Sequence, residues 1–298
     1  LEDAIKAYKK AISLKPDYAE AYNNMGNALH DQNKITEAVE AYSKATSLKP
    51  NYAEAYYNLG TALREKGKLN EAIETYNEAI SVNPEYTEAY FNLGNALKKQ
   101  GKLELAVEAY NKAILLKSDS ADAYLNLGNA LQELGKLEEA TETYTRTLAL
   151  KPNYAEAHYN MGTALQEQGK LDEAIDAFNN AISIKPDYAE ALNNLGVTLQ
   201  EQGKLDEAIE TYCKALSIKP EHTATAANLV KLPVGSLKLK HLTLCEIFKR
   251  SPHTFTNKSK YIFFKANMHK HKGKYDKAFN EFCKANEIKL GEIAASRV

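Results

Sequence analysis

Apolar residues along the chain return at two nested periods. Within residues 53–80, "AEAYYNLGTALREKGKLNEAIETYNEAI", Tyr56, Leu59, Gly60 and Leu63 fall at i, i+3, i+4 and i+7, one face of a helix. Ala72, Tyr76, Ala79 and Ile80 make a second such face. Between the two lies "EKGK", where Gly67 can supply the positive φ that closes the first helix. Pro84 stops the second, because a helix rarely runs through a proline. The whole unit then repeats. The segments "AEAYNNMGNAL", "AEAYYNLGTAL", "TEAYFNLGNAL", "ADAYLNLGNAL", "AEAHYNMGTAL" and "AEALNNLGVTL" begin at Ala19, Ala53, Thr87, Ala121, Ala155 and Ala189, 34 residues apart without insertion. Self-similarity at a fixed period of this size signals a solenoid.

The opening stretch "LEDAIKAYKKAISLKP" reads as the second half of an earlier copy, with Ala4, Tyr8, Ala11 and Pro16 in register. A chain that starts mid-copy and without Met is expected to be a fragment, its first helix exposing a face that a neighbour would cover. Small residues carry the expected packing. The eighth position of each full copy is Gly (Gly26, Gly60, Gly94, Gly128, Gly162, Gly196) and the twentieth is Ala (Ala38, Ala72, Ala106, Ala140, Ala174, Ala208). Two helices can approach closely there while an aromatic such as Tyr76 fills the space beside them. A single pair leaves an apolar edge that only the next pair can cover, so several copies are needed for stability.

With this period and these glycines and alanines, the chain resembles the tetratricopeptide repeat family over residues 1–222. The resemblance implies an all-α fold, a right-handed superhelical solenoid of antiparallel helix pairs, with a half repeat at 1–18 and full repeats starting at 19, 53, 87, 121, 155 and 189. The closing proline is present at Pro50, Pro84, Pro152, Pro186 and Pro220, but Ser118 replaces it in the third copy, which should leave that helix end less firmly set.

Composition excludes several functions. Charged residues make up 26% and no long apolar run exists, so neither a membrane span nor a secretion signal is expected. Cys213, Cys245 and Cys283 are too far apart for a disulfide framework or metal spacing; buried thiols in a reducing cytoplasm fit them better. Stretches such as "GNALQELGKL" fall short of a phosphate loop, because Leu137 sits where Ser or Thr would bind magnesium. His30, His158 and His222 occupy unrelated repeat positions, and His269 and His271 lie in a lysine-rich turn. Asn257-Lys258-Ser259 is a glycosylation sequon that a cytoplasmic chain would not use. No catalytic residue, metal site or cofactor emerges, and the chain reads as a non-enzyme.

Binding residues are expected on the other face of each first helix, where positions two, five, six, nine, twelve and thirteen form a stripe opposite the core. The family resemblance implies that this stripe lines a concave, partner-binding groove. Position six is Asn in all six copies: Asn24, Asn58, Asn92, Asn126, Asn160 and Asn194. "TATAANLV" continues the register to Asn228. A carboxamide donates and accepts, so it can pair with peptide backbone of any sequence. A similar asparagine ladder occurs in the repeat domain of O-linked N-acetylglucosamine transferases; local hydrogen bonding is the alternative. Position five supplies apolar anchors, Tyr57, Phe91, Leu125 and Tyr159, with inter-repeat packing as the other reading. Position two is acidic throughout (Glu20, Glu54, Glu88, Asp122, Glu156, Glu190) and position thirteen is acidic except at Lys99. The expected occupant is an extended, neutral-to-basic peptide of about 10 to 15 residues, given helices roughly 8–10 Å apart and about 3.3 Å per peptide residue. Pairing of the carboxylates with the turn lysines Lys34, Lys68 and Lys102 would temper that charge.

Charge divides the chain. Residues 223–298 carry 15 Lys and Arg against 5 Asp and Glu, while residues 1–222 carry 23 against 34. Residues 223–258, "KLPVGSLKLKHLTLCEIFKRSPHTFTNK" included, lose the period as a degenerate helical linker. It recovers over 259–298 as a repeat-like helix pair with Gly273, Ala278, Phe282 and Ala285 in register. This part resembles the linker of proteins that join a repeat array to a sulfotransferase domain, by its "FF", "GKYDKAF" and "KAN" at Asn286. Two functions stay open: a peptide- and protein-binding scaffold, or the substrate-recruiting arm of a transferase whose catalytic domain lies beyond Val298. The basic tail offers no stacking platform, since Tyr261, Phe263 and Phe264 read as helix-packing residues. Nucleic acid should therefore bind no tighter than about micromolar at physiological salt, measured by anisotropy across a salt series; submicromolar binding would contradict this.

Overall fold

The structure is a computed structural model that describes residues 1–219 and 222–232. Among these it is all α. The helices are α1 (Glu2–Leu14), α2 (Ala19–Asp31), α3 (Ile35–Leu48), α4 (Ala53–Glu65), α5 (Leu69–Val82), α6 (Thr87–Lys99) and α7 (Leu103–Leu116). They continue as α8 (Ala121–Glu133), α9 (Leu137–Leu150), α10 (Ala155–Glu167), α11 (Leu171–Ile184), α12 (Ala189–Glu201), α13 (Leu205–Ile218) and α14 (Thr223–Lys231). Every first helix from α2 to α12 begins at position one of its copy, so the 34-residue register and the helix register coincide. The result is a solenoid of helix pairs. Helices α1–α9 form one compact unit, Leu1–Pro152, and the described residues from Asn153 onward form another.

Turn chemistry explains the helix ends. Gly67 has φ +77°, its N–H donates to the Arg64 carbonyl at 3.0 Å, and Lys68 N–H reaches the Leu63 carbonyl at 3.0 Å. That pair of bonds is the Schellman closure, which needs a left-handed residue. In the first copy the position belongs to Asn33, at φ 59°, the side chain that tolerates this region best after glycine. Helix α7 stops at Leu116, the same position as its counterparts, although Ser118 stands in place of proline. In the same turn the Ser120 side chain accepts a hydrogen bond from Ala123 N–H at 3.3 Å and caps α8.

Packing within each pair follows the small residues. The alanines at position twenty are fully buried, and so are Tyr76, Tyr110, Tyr144, Phe178 and Tyr212 at position twenty-four. Each of these rings comes close against a glycine. A Cβ built on Gly60 would meet the Tyr76 ring at 2.8 Å, and one on Gly162 would meet Phe178 at 2.8 Å. A buried phenol also needs a hydrogen-bond partner. Tyr42, Tyr110 and Tyr144 donate to Asn27, Asn95 and Asn129 at 2.8, 2.8 and 2.9 Å, and Tyr76 shares a bond with Thr61 at 3.2 Å. These partners all stand at position nine of the first helix.

At the chain start, α1 buries only Ile5, while Leu1 and Leu14 are exposed. After α13, α14 continues the first-helix register and packs on α13 and α12, so the repeat pattern extends past residue 222 to Lys231. The rest of the expected linker, the helix pair at 259–298, Cys245, Cys283, His269 and His271 lie outside the described residues. Cys213 is buried, as expected of a core thiol.

A Cβ on Gly128 would come within 2.5 Å of the Tyr144 ring. Gly128→Leu should therefore destabilise by about 1–3 kcal/mol through overpacking. Chemical denaturation monitored by circular dichroism measures this, and an unchanged midpoint would contradict the close contact.

Candidate functional site

The stripe opposite the core is built from first helices only. Within the first unit α2, α4, α6 and α8 touch in succession, and α10, α12 and α14 do so in the second, which brings position-six side chains into rows. Asn24 is exposed, and Asn58, Asn92, Asn126, Asn160, Asn194 and Asn228 are half-buried.

Much of the row is engaged between copies. Asn58 Nδ2 donates to Asn23 Oδ1 at 3.0 Å, and Asn92 Nδ2 to the Tyr57 hydroxyl at 3.0 Å. In the second unit Asn194 Nδ2 donates to the Tyr159 hydroxyl at 3.2 Å, and Asn228 Nδ2 to Asn193 Oδ1 at 3.1 Å. The rule is one rung: position six of a copy donates to position five of the copy before it. It works only where position five carries an acceptor, Asn or Tyr. Position five of the third copy is Phe91, which has none. Asn126 instead turns its Nδ2 back to the Asp122 carbonyl of its own helix, at 3.0 Å.

Position five is tied into the solenoid as well. The Tyr57 ring sits 5.0 Å from Tyr86 and 6.1 Å from Tyr76, and Tyr159 sits 5.0 Å from Tyr188 and 6.1 Å from Phe178. Both anchors are thus flanked by a core ring and by the tyrosine of the following turn. Phe91 has the core ring alone, Tyr110 at 6.0 Å, because Ser120 occupies the turn position where Tyr86 and Tyr188 stand in other copies. Leu125 corrects the list of anchors. It is 3% exposed and belongs to the core, leaving Tyr57, Phe91 and Tyr159 as the half-buried position-five residues.

The carboxylates pair differently from the sequence expectation. Glu20 binds Lys49 at 2.7 Å and Glu190 binds Lys219 at 2.9 Å, each lysine ending the second helix of the same copy. The lysine hydrogen bond holds both carboxyls below their ordinary range. The turn lysine Lys68 pairs instead with Glu71 on the following helix. Position thirteen reaches back one copy, in His30–Glu65 at 3.0 Å, Lys98–Glu133 at 3.4 Å and the Gln166–Glu201 bond at 3.2 Å. Among the described residues no ion pair engages Glu88, which shares the α6 face with Phe91. No cluster of His, Cys, Asp or Glu suited to a metal occurs among the described residues, and none of their helices is long and apolar enough to cross a membrane.

The inter-copy rungs were the part sequence reasoning missed. Their signal was a correlation at a separation of 35 residues: an acceptor at position five followed by the next copy's asparagine.

Comparison with known proteins agrees with this architecture. A family model described as TPR repeat matches residues 1–32, 26–63, 60–101, 94–135 and 128–169, and one described as tetratricopeptide repeat matches 153–221. No curated protein matches the chain significantly. Among solved structures, YrrB, described as a TPR protein with an unusual peptide-binding site, is 29% identical at a TM-score of 0.58. That match covers 63% of this chain and 97% of YrrB. MamA is 31% identical at 0.53, over 55% of this chain and 95% of MamA. PilF of Pseudomonas aeruginosa, at 18% identity and 0.60 over 72% and 97%, shares the fold.

The rungs predict unequal effects along one row of identical residues. Asn92→Ala removes a bond between copies and should cost about 0.5–1.5 kcal/mol. Asn126→Ala removes only a bond within its own helix, and alanine is the better helix former, so its effect should stay within about 0.5 kcal/mol. Urea melts of the two variants measure the difference; equal losses would contradict the rung rule.

Proposed function

The chain belongs to the tetratricopeptide repeat family, and from that premise we propose that its first helices hold an extended, neutral-to-basic peptide of a protein partner, without catalysis. The candidate residues are Asn24, Asn58, Asn92 and Asn126 with Tyr57 and Phe91 in the first unit, and Asn160, Asn194 and Asn228 with Tyr159 in the second. Arrays of this family act as scaffolds for protein interactions, and YrrB, similar in fold and sequence, is itself described by its peptide-binding site.

One observation carries the reading: the stitching between copies breaks at α6 and α8. Asn126 has its amide oxygen and one N–H unused by the bond to Asp122. Phe91 lacks the second ring that flanks Tyr57 and Tyr159. Glu88, one turn before Phe91, is in no ion pair among the described residues. Together these offer a backbone partner, an apolar anchor and an anionic group within one face of two adjacent helices. Hydrogen bonds at about 0.5–1.5 kcal/mol each cannot offset the roughly 1–2 kcal/mol of ordering each peptide residue. The anchor is therefore as necessary as the amide. Four first helices in the first unit, about 8–10 Å apart, accommodate about 7–9 extended residues.

The test is to select peptides against the full chain, then titrate the winners into single variants. Asn126→Ala should weaken all of them alike by roughly fivefold, because a backbone contact carries no sequence information. Phe91→Ala should change which peptides are preferred, and Glu88→Lys should abolish the preference for a basic residue. Winners that bind all three variants as tightly as the parent would sink the proposal.

A further inference from the structure

The opposite side of the same solenoid carries a second surface. Between the second helices of neighbouring copies, α5 and α7 in the first unit and α11 and α13 in the second, a groove opens over the first helix beneath. These two grooves can be compared directly, because equivalent positions line them. Between α5 and α7 the cavity measures about 690 Å³, with Tyr90, Leu93 and Leu97 of α6 as its floor. Between α11 and α13 it measures about 310 Å³, over Leu195 and Leu199 of α12.

Two substitutions peculiar to the third copy lie in the larger groove. Position nineteen is Glu in every other copy (Glu37, Glu71, Glu139, Glu173, Glu207) but Leu105 here. Position twenty-nine is Ser or Ala elsewhere (Ser47, Ser81, Ala149, Ser183, Ser217) but Leu115 here. Both leucines line the larger groove, and they are 49% and 76% exposed. The solenoid does not need them, since five copies fold without them, and large exposed leucines over an apolar floor mark an interaction surface.

Leu105 has a second consequence, and it is electrostatic. In two other copies the turn lysine pairs with the glutamate of position nineteen: Lys68 with Glu71 at 2.8 Å, Lys136 with Glu139 at 3.5 Å. Lys102 stands in the same place at the rim of the larger groove, and its carboxylate has been replaced by the leucine. Lys112 lines the groove as well, with Glu108 one turn before it on α7, which leaves the lining one net positive charge. An occupant is thus asked to bring apolar side chains and to restore a negative charge.

We propose that this groove binds an amphipathic α-helix of a protein partner, apolar along an i, i+3/i+4, i+7 stripe and carrying an acidic residue beside it. A helix fits better than an extended strand. The groove walls are mainly side chains with few backbone groups to pair with, and a helix satisfies its own N–H and C=O groups. Leu105 and Leu115 lie ten residues apart on α7, about 15 Å along the helix axis, which matches roughly three turns of a partner helix. The site lies on the other face from the asparagine row, so it does not depend on the peptide-binding reading.

The experiment is a selection of hydrocarbon-stapled helical peptides, about 14 residues long and randomised at surface positions, against the full chain. Enriched sequences should combine the apolar stripe with Asp or Glu. They should bind the double variant Leu105→Glu/Leu115→Ser at least about tenfold more weakly, while Asn126→Ala leaves them unchanged. Lys102→Glu should shift preference to peptides with Lys in place of the acid. The double variant installs residues that other copies already carry, so its thermal midpoint should match the parent, which separates lost binding from lost folding. Three results would overturn the proposal: no enrichment, winners that bind parent and double variant alike, or sedimentation showing that the parent dimerises through this face and the double variant does not, which would make a second copy the occupant.

Discussion

Everything in this solenoid depends on one contact, a glycine on each first helix lying under an aromatic ring of the second. The ring comes so close that even a methyl group on the glycine would collide with it. That contact fixes the spacing of the pair, and the spacing fixes where each pair meets the next. It also commits more of the sequence than glycine and ring. A buried tyrosine must place its hydroxyl, so in three copies position nine becomes an acceptor for the phenol of position twenty-four, while in the sixth, where position nine is Val197, Tyr212 donates to Gln200 instead. Where Phe178 replaces tyrosine, that demand disappears, and the ring still fills the same space against Gly162. Position nine lies on the stripe expected to face a ligand. The core has already claimed it.

The same logic runs outward from one copy to the next. Position six binds position five, position thirteen binds position twelve, and position two binds the lysine that ends its own pair. A face that looks polar and available from its sequence is therefore largely a seam. Binding capacity is left where the seam is incomplete, and the third copy breaks it in several ways. Phe91 removes an acceptor, Ser120 removes a covering ring, and Lys99 removes an acidic partner. On the opposite face Leu105 removes a salt bridge and Leu115 adds exposed apolar area. The departures from the repeat cluster in one place and on both faces.

How much of this could be read from the chain depends on the distance over which the physics acts. Helix starts, the Gly67 turn and the glycine–aromatic contact were legible because each is fixed by residues within one period. Even the first copy's Asn33 follows from a local rule about left-handed backbone. Pairings between copies were harder, since Asn92 and Tyr57 are 35 residues apart and nothing in either residue names the other. Leu125 was misplaced for the same reason: its position number gives its direction from the helix axis, but only its neighbours decide whether water reaches it. The turn lysines illustrate a tie between near partners. Lys68 had both a groove carboxylate and Glu71 within sequence range, and it pairs with the i, i+3 partner in the first turn of the helix that it precedes.

A repeat array tolerates such concentrated divergence in a way a globular core does not. Each pair touches only its neighbours, so stability is close to a sum of local contributions, and a change in one copy is not transmitted to the rest. The third copy keeps every element of the contact that builds the pair: Gly94, Ala106 and Tyr110 are all present and buried. What varies lies outside that set, at positions where other copies spend residues on joining neighbours or on solvent. Loss of one rung costs a single hydrogen bond's worth, about 1 kcal/mol, against the many apolar contacts that hold adjacent pairs together. A copy can therefore give up its stitches for recognition while the packing that surrounds it stays intact. In a chain written from nearly identical units, the unit that departs from the others is where selection for something other than folding leaves its mark.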